Sequence, residues 1–278
     1  MTEISLPTIR RPHWLSLPLA IGSLIVLFWL VVTFMAPFIS SYDPLDMVGR
    51  RLQAPSLQHL LGTDALGRDV LSRTLYGAMH SLPIAIVVVA FSVAIGAALG
   101  AISGFVGGFV GSAIMRLVDI TLSFPPMLLA MAVAASLGPG LENAAVAMVI
   151  VWWPVYARLM RAQVLEVRER EHVEAAVSAG AGNFRLLFKH ILPLCWTPVL
   201  ISATMDLGQV ILLAASLSFI GLGATPPTPE WGSMISDGAS QFYSWWVALG
   251  PGLAILTIVL GFNFIGDGLH DYFDPKSK

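Results

Sequence analysis

Charged residues are so unevenly spaced along this chain that the gaps between them outline its architecture. No Asp, Glu, Lys or Arg occurs between Arg11 and Asp43, and that gap holds the run LSLPLAIGSLIVLFWLVVTFM. A membrane helix needs about 20 apolar residues, so a first span is expected over residues 15–38. The basic pair Arg10 and Arg11 precedes it, as in a secretory signal, but the apolar stretch is too long and no small-x-small cleavage site comes before Pro37. A retained span is therefore the expectation. The next gap, Arg73 to Arg116, gives a second span over residues 82–103, broken by GFVGGFVG at 104–111. Leu117 to Leu137 reads as a third span with Pro125 and Pro126 in its middle, ended by the glycines around Pro139. Ala144 to Met160 is a fourth, lengthened by Arg158, whose long side chain can snorkel to the interface. Leu194 to Phe219 is a fifth, interrupted by Asp206, and Trp246 to Ile265 is a sixth. Backbone polar groups in lipid must be satisfied within each segment, so the spans are helices. The fold class expected is an all-α membrane protein with six transmembrane helices.

Composition agrees with the pattern. Of 278 residues, 56% are apolar and 12% charged, against about 25% charged in soluble domains. The mean hydropathy is +0.78. A net charge of −2 argues against a nucleic-acid partner, and a single cysteine excludes an intrachain disulfide. The six histidines form no i,i+4 pair and no H-E-x-x-H, and there is no G-x-x-x-x-G-K-[ST] and no G-x-S-x-G. Metal catalysis, P-loop ATP binding and a nucleophile elbow therefore have no sequence support. Six spans place both termini on one side. That side would hold Arg10, Arg11, Arg116, Arg158, Arg161, Arg168, Arg170, Arg185, Lys189, Lys276 and Lys278, which leaves only Arg50, Arg51, Arg68 and Arg73 outside. The positive-inside bias makes the crowded side cytoplasmic. Tyr42, Tyr76, Tyr243, Trp245 and Trp246 then fall at outer interfaces, and Trp14, Trp196 and Tyr272 at inner ones.

This divides the chain into a cytoplasmic N-terminal segment 1–14, the first span 15–38, an outer segment 39–79, a membrane core 80–268 with a cytoplasmic loop 159–193, and a tail 269–278. The loop is the densest in charge. It reads either as a solvated face with pairs such as Glu166–Arg170, or as a docking element. Its pattern favours the second. Ala175, Ala176 and Ala179 make a short helix whose small side chains allow another surface to approach closely, and Gly180 and Gly182 can supply the positive φ that turns the chain. Phe184, Leu187 and Phe188 then form a second apolar stripe, and Pro193 opens the fifth span where its missing donor does no harm.

The run Glu174, Ala175, Ala176, Gly180, Leu192, Pro193 resembles the EAA loop of ABC importer permeases, with His190 and Leu194 departing from residues common there. HLLGTDALGRDVLSRTLYGAMHSL (59–82), LSFIGLGATPPTPEWGSMI (217–235) and NFIGDGLHDYFDP (263–275) are similar to segments of the dipeptide, oligopeptide and nickel branch, in its C-type subunit. The resemblance covers nearly the whole chain from the first span onward. It implies a type I ABC importer permease fold in a bacterial inner (plasma) membrane, and inward passage of di- or oligopeptides or a related small solute such as a nickel chelate. It implies a second permease subunit, two cytoplasmic ABC ATPase subunits that bind the ATP, and an extracytoplasmic substrate-binding protein. The chain itself would hold no cofactor and catalyse nothing. Glu174, Ala175, Ala176, Gly180, Ala181 and Gly182 would be the coupling helix that docks in the ATPase. The rival class is an ion- or proton-coupled carrier using Asp119 and Asp206, although no internal repeat supports an inverted-repeat transporter.

Individual polar residues carry further expectations. Asp64–Arg68 and Asp69–Arg73 are i,i+4 pairs with the acid first, so an amphipathic surface helix capped by Thr63 and Asp64 is expected there; a contact for the external binding protein is the alternative. Asp119 has Arg116 at i−3. Asp206 has no charged neighbour within a turn, with Gln209 the nearest polar group. It is read either as facing the solute pathway together with Gln209 or as buried against a Ser or Thr of another helix. Pro125, Pro126 and Pro154 are expected to kink their spans. Trp152 and Trp153 read as packing residues.

Overall fold

The computed structural model describes residues 17–273. The N-terminal segment 1–14, and with it Arg10, Arg11 and Trp14, lies outside the described residues, as do residues 274–278 with Lys276 and Lys278. Among the described residues nine helices follow one another: α1 (Leu17–Ile39), α2 (Val70–Val106), α3 (Gly108–Leu122), α4 (Pro126–Leu137), α5 (Leu141–Arg168), α6 (Glu171–Ser178), α7 (Asn183–Phe219), α8 (Trp231–Ala239) and α9 (Trp246–Phe273). Five of them are long and apolar enough to cross a membrane, and α3 with α4 makes a sixth passage bent by 91°. The strand-like pairing among the described residues is confined to two isolated bridges, Met47 with Arg68 and Thr63 with Asp69.

The kink expected at Pro125 and Pro126 is a full break of the third span, at 91°. A residue before proline is pushed out of the helical region, and Pro125 itself is extended at φ −57°, ψ 127°, with Pro126 opening α4. Two consecutive prolines therefore stop one helix and start another. Pro154, by contrast, lies within the unbroken α5. The second span also exceeds expectation. At 37 residues α2 is about 55 Å long, well over the about 30 Å of a hydrocarbon core, so its first turns belong to the outer segment. The chain around Pro193 departs as well. The fifth span starts eleven residues early, at Asn183, because Leu186–Ile191 forms a wide π turn in which the Leu192 N–H donates to the Leu187 carbonyl. A turn of that pitch tolerates Pro193, which would otherwise remove a bond and crowd a carbonyl in regular helix.

The tightest seam joins α2 to α5. Gly96, Gly100 and Gly104 are spaced four apart on one face of α2, and a Cβ on Gly96 or Gly100 would overlap the carbonyl oxygens of Trp153 and Ala157. Small residues at this spacing let helix backbones touch, which is the main source of packing energy where lipid removes the hydrophobic contrast. α1 runs antiparallel to α9. Gly22 abuts Gly261 and Ile265, and the buried Trp29 donates its Nε1–H to Thr257 Oγ1 at 3.0 Å while crossing Trp231 edge-on. Trp246, at the start of α9, donates to the Thr63 carbonyl in the loop that precedes α2. Leu17 and Phe273 therefore lie at the opposite end from residues 40–69, and that end is shared with α6.

Candidate coupling and pathway sites

The short helix α6 hangs below the bundle on one buried side chain, Val173, which is 2% exposed. Around it opens a groove of about 690 Å³ between α6 and the end of α2, lined by Phe105, Val106, Arg168, Glu174 and Asn183 among others. Arg168 closes its rim by donating to the Phe105 carbonyl at 3.3 Å. α6 ends in a Schellman motif: the Gly180 N–H donates to Val177 O and the Ala181 N–H to Ala176 O, with Gly180 at φ +80°. Gly182 has φ −72°, so the expectation that both glycines supply a positive φ holds for Gly180 alone. Glu174, Ala175, Gly180 and Gly182 are exposed, Ala176 and Ala181 half-buried, and nothing of this chain lies within 4 Å of a Cβ placed on Gly180 or Gly182. The expected Glu166–Arg170 pair is present at 2.8 Å on the surface. Phe184 and Phe188 stack with centroids 4.5 Å apart and face outward beside α6, Phe184 being 77% exposed.

Asp206 lies about halfway along α7. Its Oδ2 accepts a hydrogen bond from the Tyr156 hydroxyl of α5 at 2.6 Å, and Trp152 of α5 lines the same small cavity. The carboxylate borders a cavity of about 130 Å³ whose other walls are Thr121, Leu122, Phe124 and Pro126 at the α3–α4 elbow and Val151, Trp152 and Val155 of α5. Gln209 is exposed and does not line that cavity, so the two pathway candidates are not brought together. The partner of Asp206 is a tyrosine, where a Ser or Thr was the buried alternative. Asp119 pairs across helices with Arg158 at 2.7 Å, which replaces the expected local contact with Arg116. Trp152 is more than packing, since it borders a carboxylate.

The outer segment overturns its expectation. Residues 64–69 are a folded loop in which Asp64, Arg68 and Asp69 are buried, and Arg73 is buried in the first turn of α2. Asp64 Oδ2 accepts from Arg68 Nε at 2.6 Å and lies 3.5 Å from Arg73 Nε, while its Oδ1 accepts the backbone N–H groups of Leu66 and Arg68. Asp69, rather than Thr63 or Asp64, caps a helix. It accepts the Ser72 N–H at the start of α2 and meets His59 Nδ1 at 2.9 Å instead of Arg73. Arg73 donates instead to the Pro44 carbonyl. A second buried carboxylate, Glu230, caps α8 through the Gly232 and Ser233 N–H groups and receives Ser81 Oγ from α2. Sequence spacing pointed to neither the His59 contact nor the Tyr156 contact. The four-residue glycine spacing on α2 was legible but unread.

Residues 96–278 match the family described as binding-protein-dependent transport system inner membrane component. The chain belongs to that family. Among curated members it is 49% identical over 267 residues to the dipeptide transport system permease protein DppC of Escherichia coli, covering 93% of this chain and 89% of the relative. It is 45% identical over 270 residues to the di/tripeptide transport system permease protein DppC of Pseudomonas aeruginosa, at 93% and 88% coverage. The fold resembles an inward-facing form of the MetNI methionine ABC transporter, with a TM-score of 0.59 and 20% identity over 70% of this chain and 93% of that one. A multi-pass inner-membrane component with a type I importer fold is the architecture that these likenesses give. Within that family's frame, α6 is the exposed element between two membrane helices.

Proposed function

We propose that this chain is the permease subunit through which an ATP-driven importer moves di- or tripeptides, or a closely related small solute, toward the cytoplasm. The observation that carries the mechanism is α6: a rigidly capped helix with small exposed residues and a stacked aromatic pair beside it, fused through a continuous helix to the membrane core. The names borne by the similar permeases support the peptide class. The partners are a second permease subunit, two ABC ATPases below and an external binding protein above. Glu174, Ala175, Ala176, Gly180, Ala181 and Gly182 form the ATPase dock, and the basic residues around them support a cytoplasmic position for that end. ATP closing the ATPase pair displaces α6, and α7 carries the displacement upward. ATP needs only to bind one of the two access states better than the other to shift their populations. Asp206 borders the solute's path, and Gln209 is exposed on the same helix. ATP is bound and hydrolysed in the partners.

The test is co-expression with a tagged cognate ATPase, reading co-purification and ATP-dependent dipeptide uptake. Gly180→Asp or Ala176→Arg is expected to abolish both while the protein still inserts. Coupling retained in both variants would remove the docking assignment, and uptake surviving ATP depletion would favour an ion-coupled carrier.

A further inference from the structure

The Asp206 cavity has a chemistry more specific than a place on the path. Its lining residues include one ionisable group, the carboxylate, and no Lys, Arg or His. Arg158, a short way along α5 from Tyr156, is already held by Asp119 at 2.7 Å. A carboxylate accepts at about four lone-pair positions, and Tyr156 supplies one donor at 2.6 Å, so acceptor capacity remains toward the cavity. A negative charge midway along a membrane helix is costly without a cation or a proton to balance it. The cavity of about 130 Å³ is far larger than a bare ion needs, and no cluster of three His, Cys, Asp or Glu side chains suited to a metal occurs among the described residues. Two of its walls, Trp152 and Phe124, are aromatic. Indole and phenyl faces attract a cation at short range.

The geometry points to a subsite for a primary ammonium group at the α3–α4 elbow: Asp206 is the counter-charge, Trp152 and Phe124 the aromatic walls, and Tyr156 the positioning residue. Resting on the reading of this chain as a peptide permease, it assigns the cavity to the free amino terminus of the passing peptide. Tyr156 is wholly buried; its hydroxyl fixes one carboxylate oxygen and leaves the rest of the group directed at the cavity. The elbow closes the site from the α3–α4 side, so an occupied cavity ties four helices, α3, α4, α5 and α7, through one small cation.

A probe small enough for the cavity separates this inference from the transport reading. Glycinamide carries the ammonium and no carboxylate, and N-acetylglycinamide keeps its backbone with the nitrogen capped as an uncharged amide. With the complete purified complex, glycinamide at tens of millimolar is expected to raise the unfolding temperature, and N-acetylglycinamide is not. Asp206→Asn should erase the difference, Asp206→Glu should retain part of it, and Tyr156→Phe should weaken the apparent affinity several-fold. In proteoliposomes with saturating loaded binding protein, Asp206→Asn is expected to lower peptide uptake at least tenfold while binding-protein-stimulated ATP hydrolysis persists. Equal shifts from both probes, or no shift from either, overturn the subsite. Normal uptake and assembly in Asp206→Asn also overturn it, leaving a protonated structural pair. A wild-type complex that responds to glycinamide but takes up no dipeptide would instead sink the transport reading and leave the subsite standing.

Discussion

Two hydrophilic breaks interrupt this chain, and they spend their charges in opposite ways. In the outer cap, Asp64 is 4% exposed and is satisfied by two arginines and two backbone N–H groups. At the other end, Glu166 and Arg170 pair at about half exposure, and Glu174 looks into an open groove. A buried, fully satisfied network specifies its own fold, and removing one member strands the others. Exposed charges around a capped helix add little to stability, so their value lies in what they meet. The cap is finished within the chain. In the proposed assembly the α6 loop meets its partner in the ATPase.

That contrast can be broken from either side. The largest effect is expected from Asp64→Ala, which leaves Arg68 and Arg73 buried without their counter-charge at a cost of about 3–5 kcal/mol. Thermal unfolding of the purified protein measures it, and an unchanged midpoint would mean that the cap melts independently of the bundle. Gly100→Leu in the α2–α5 seam should cost about 1–3 kcal/mol by overpacking, again read as a lowered midpoint, without selective loss of ATPase association. Gly180→Ala forces a β-carbon into the left-handed region, at about 1–2 kcal/mol. The loss should appear as faster proteolysis of the loop, while the midpoint for the membrane core stays put. Glu166→Ala, in the exposed pair, is expected to change stability by about 0.3–0.5 kcal/mol, within the scatter of most thermal assays. Should Glu166→Ala rival Asp64→Ala, the division between a self-sufficient cap and a partner-dependent loop would collapse.

Legibility in the sequence followed the same division. Spans were readable because a long charge-free run in lipid admits only one backbone solution. The α6 loop was readable because helix, glycine cap and following apolar stripe are all local in sequence. The cap was not. Asp69 sits four residues before Arg73, which suggests a helical pair, yet it is claimed by His59 and the Ser72 N–H. A chain that folds back on itself offers partners that spacing does not count. Asp206 failed to show its partner for the same reason, since Tyr156 lies 50 positions away. The elbow at Pro125 and Pro126 was legible as a disturbance, but the 91° bend that brings Phe124 and Pro126 beside Asp206 was not.

The wide turn at Leu186–Ile191 makes α7 a crankshaft with one spare residue wound into its lower journal. Each residue of an α-helix advances the screw by about 100°. Were that turn to tighten to ordinary pitch, everything above it would rotate by about that angle, swinging the Asp206 carboxylate away from the Tyr156 hydroxyl without unwinding any hydrogen-bonded turn in the membrane. A push delivered at Asn183 thus has a mechanical route to become a twist halfway up the shaft.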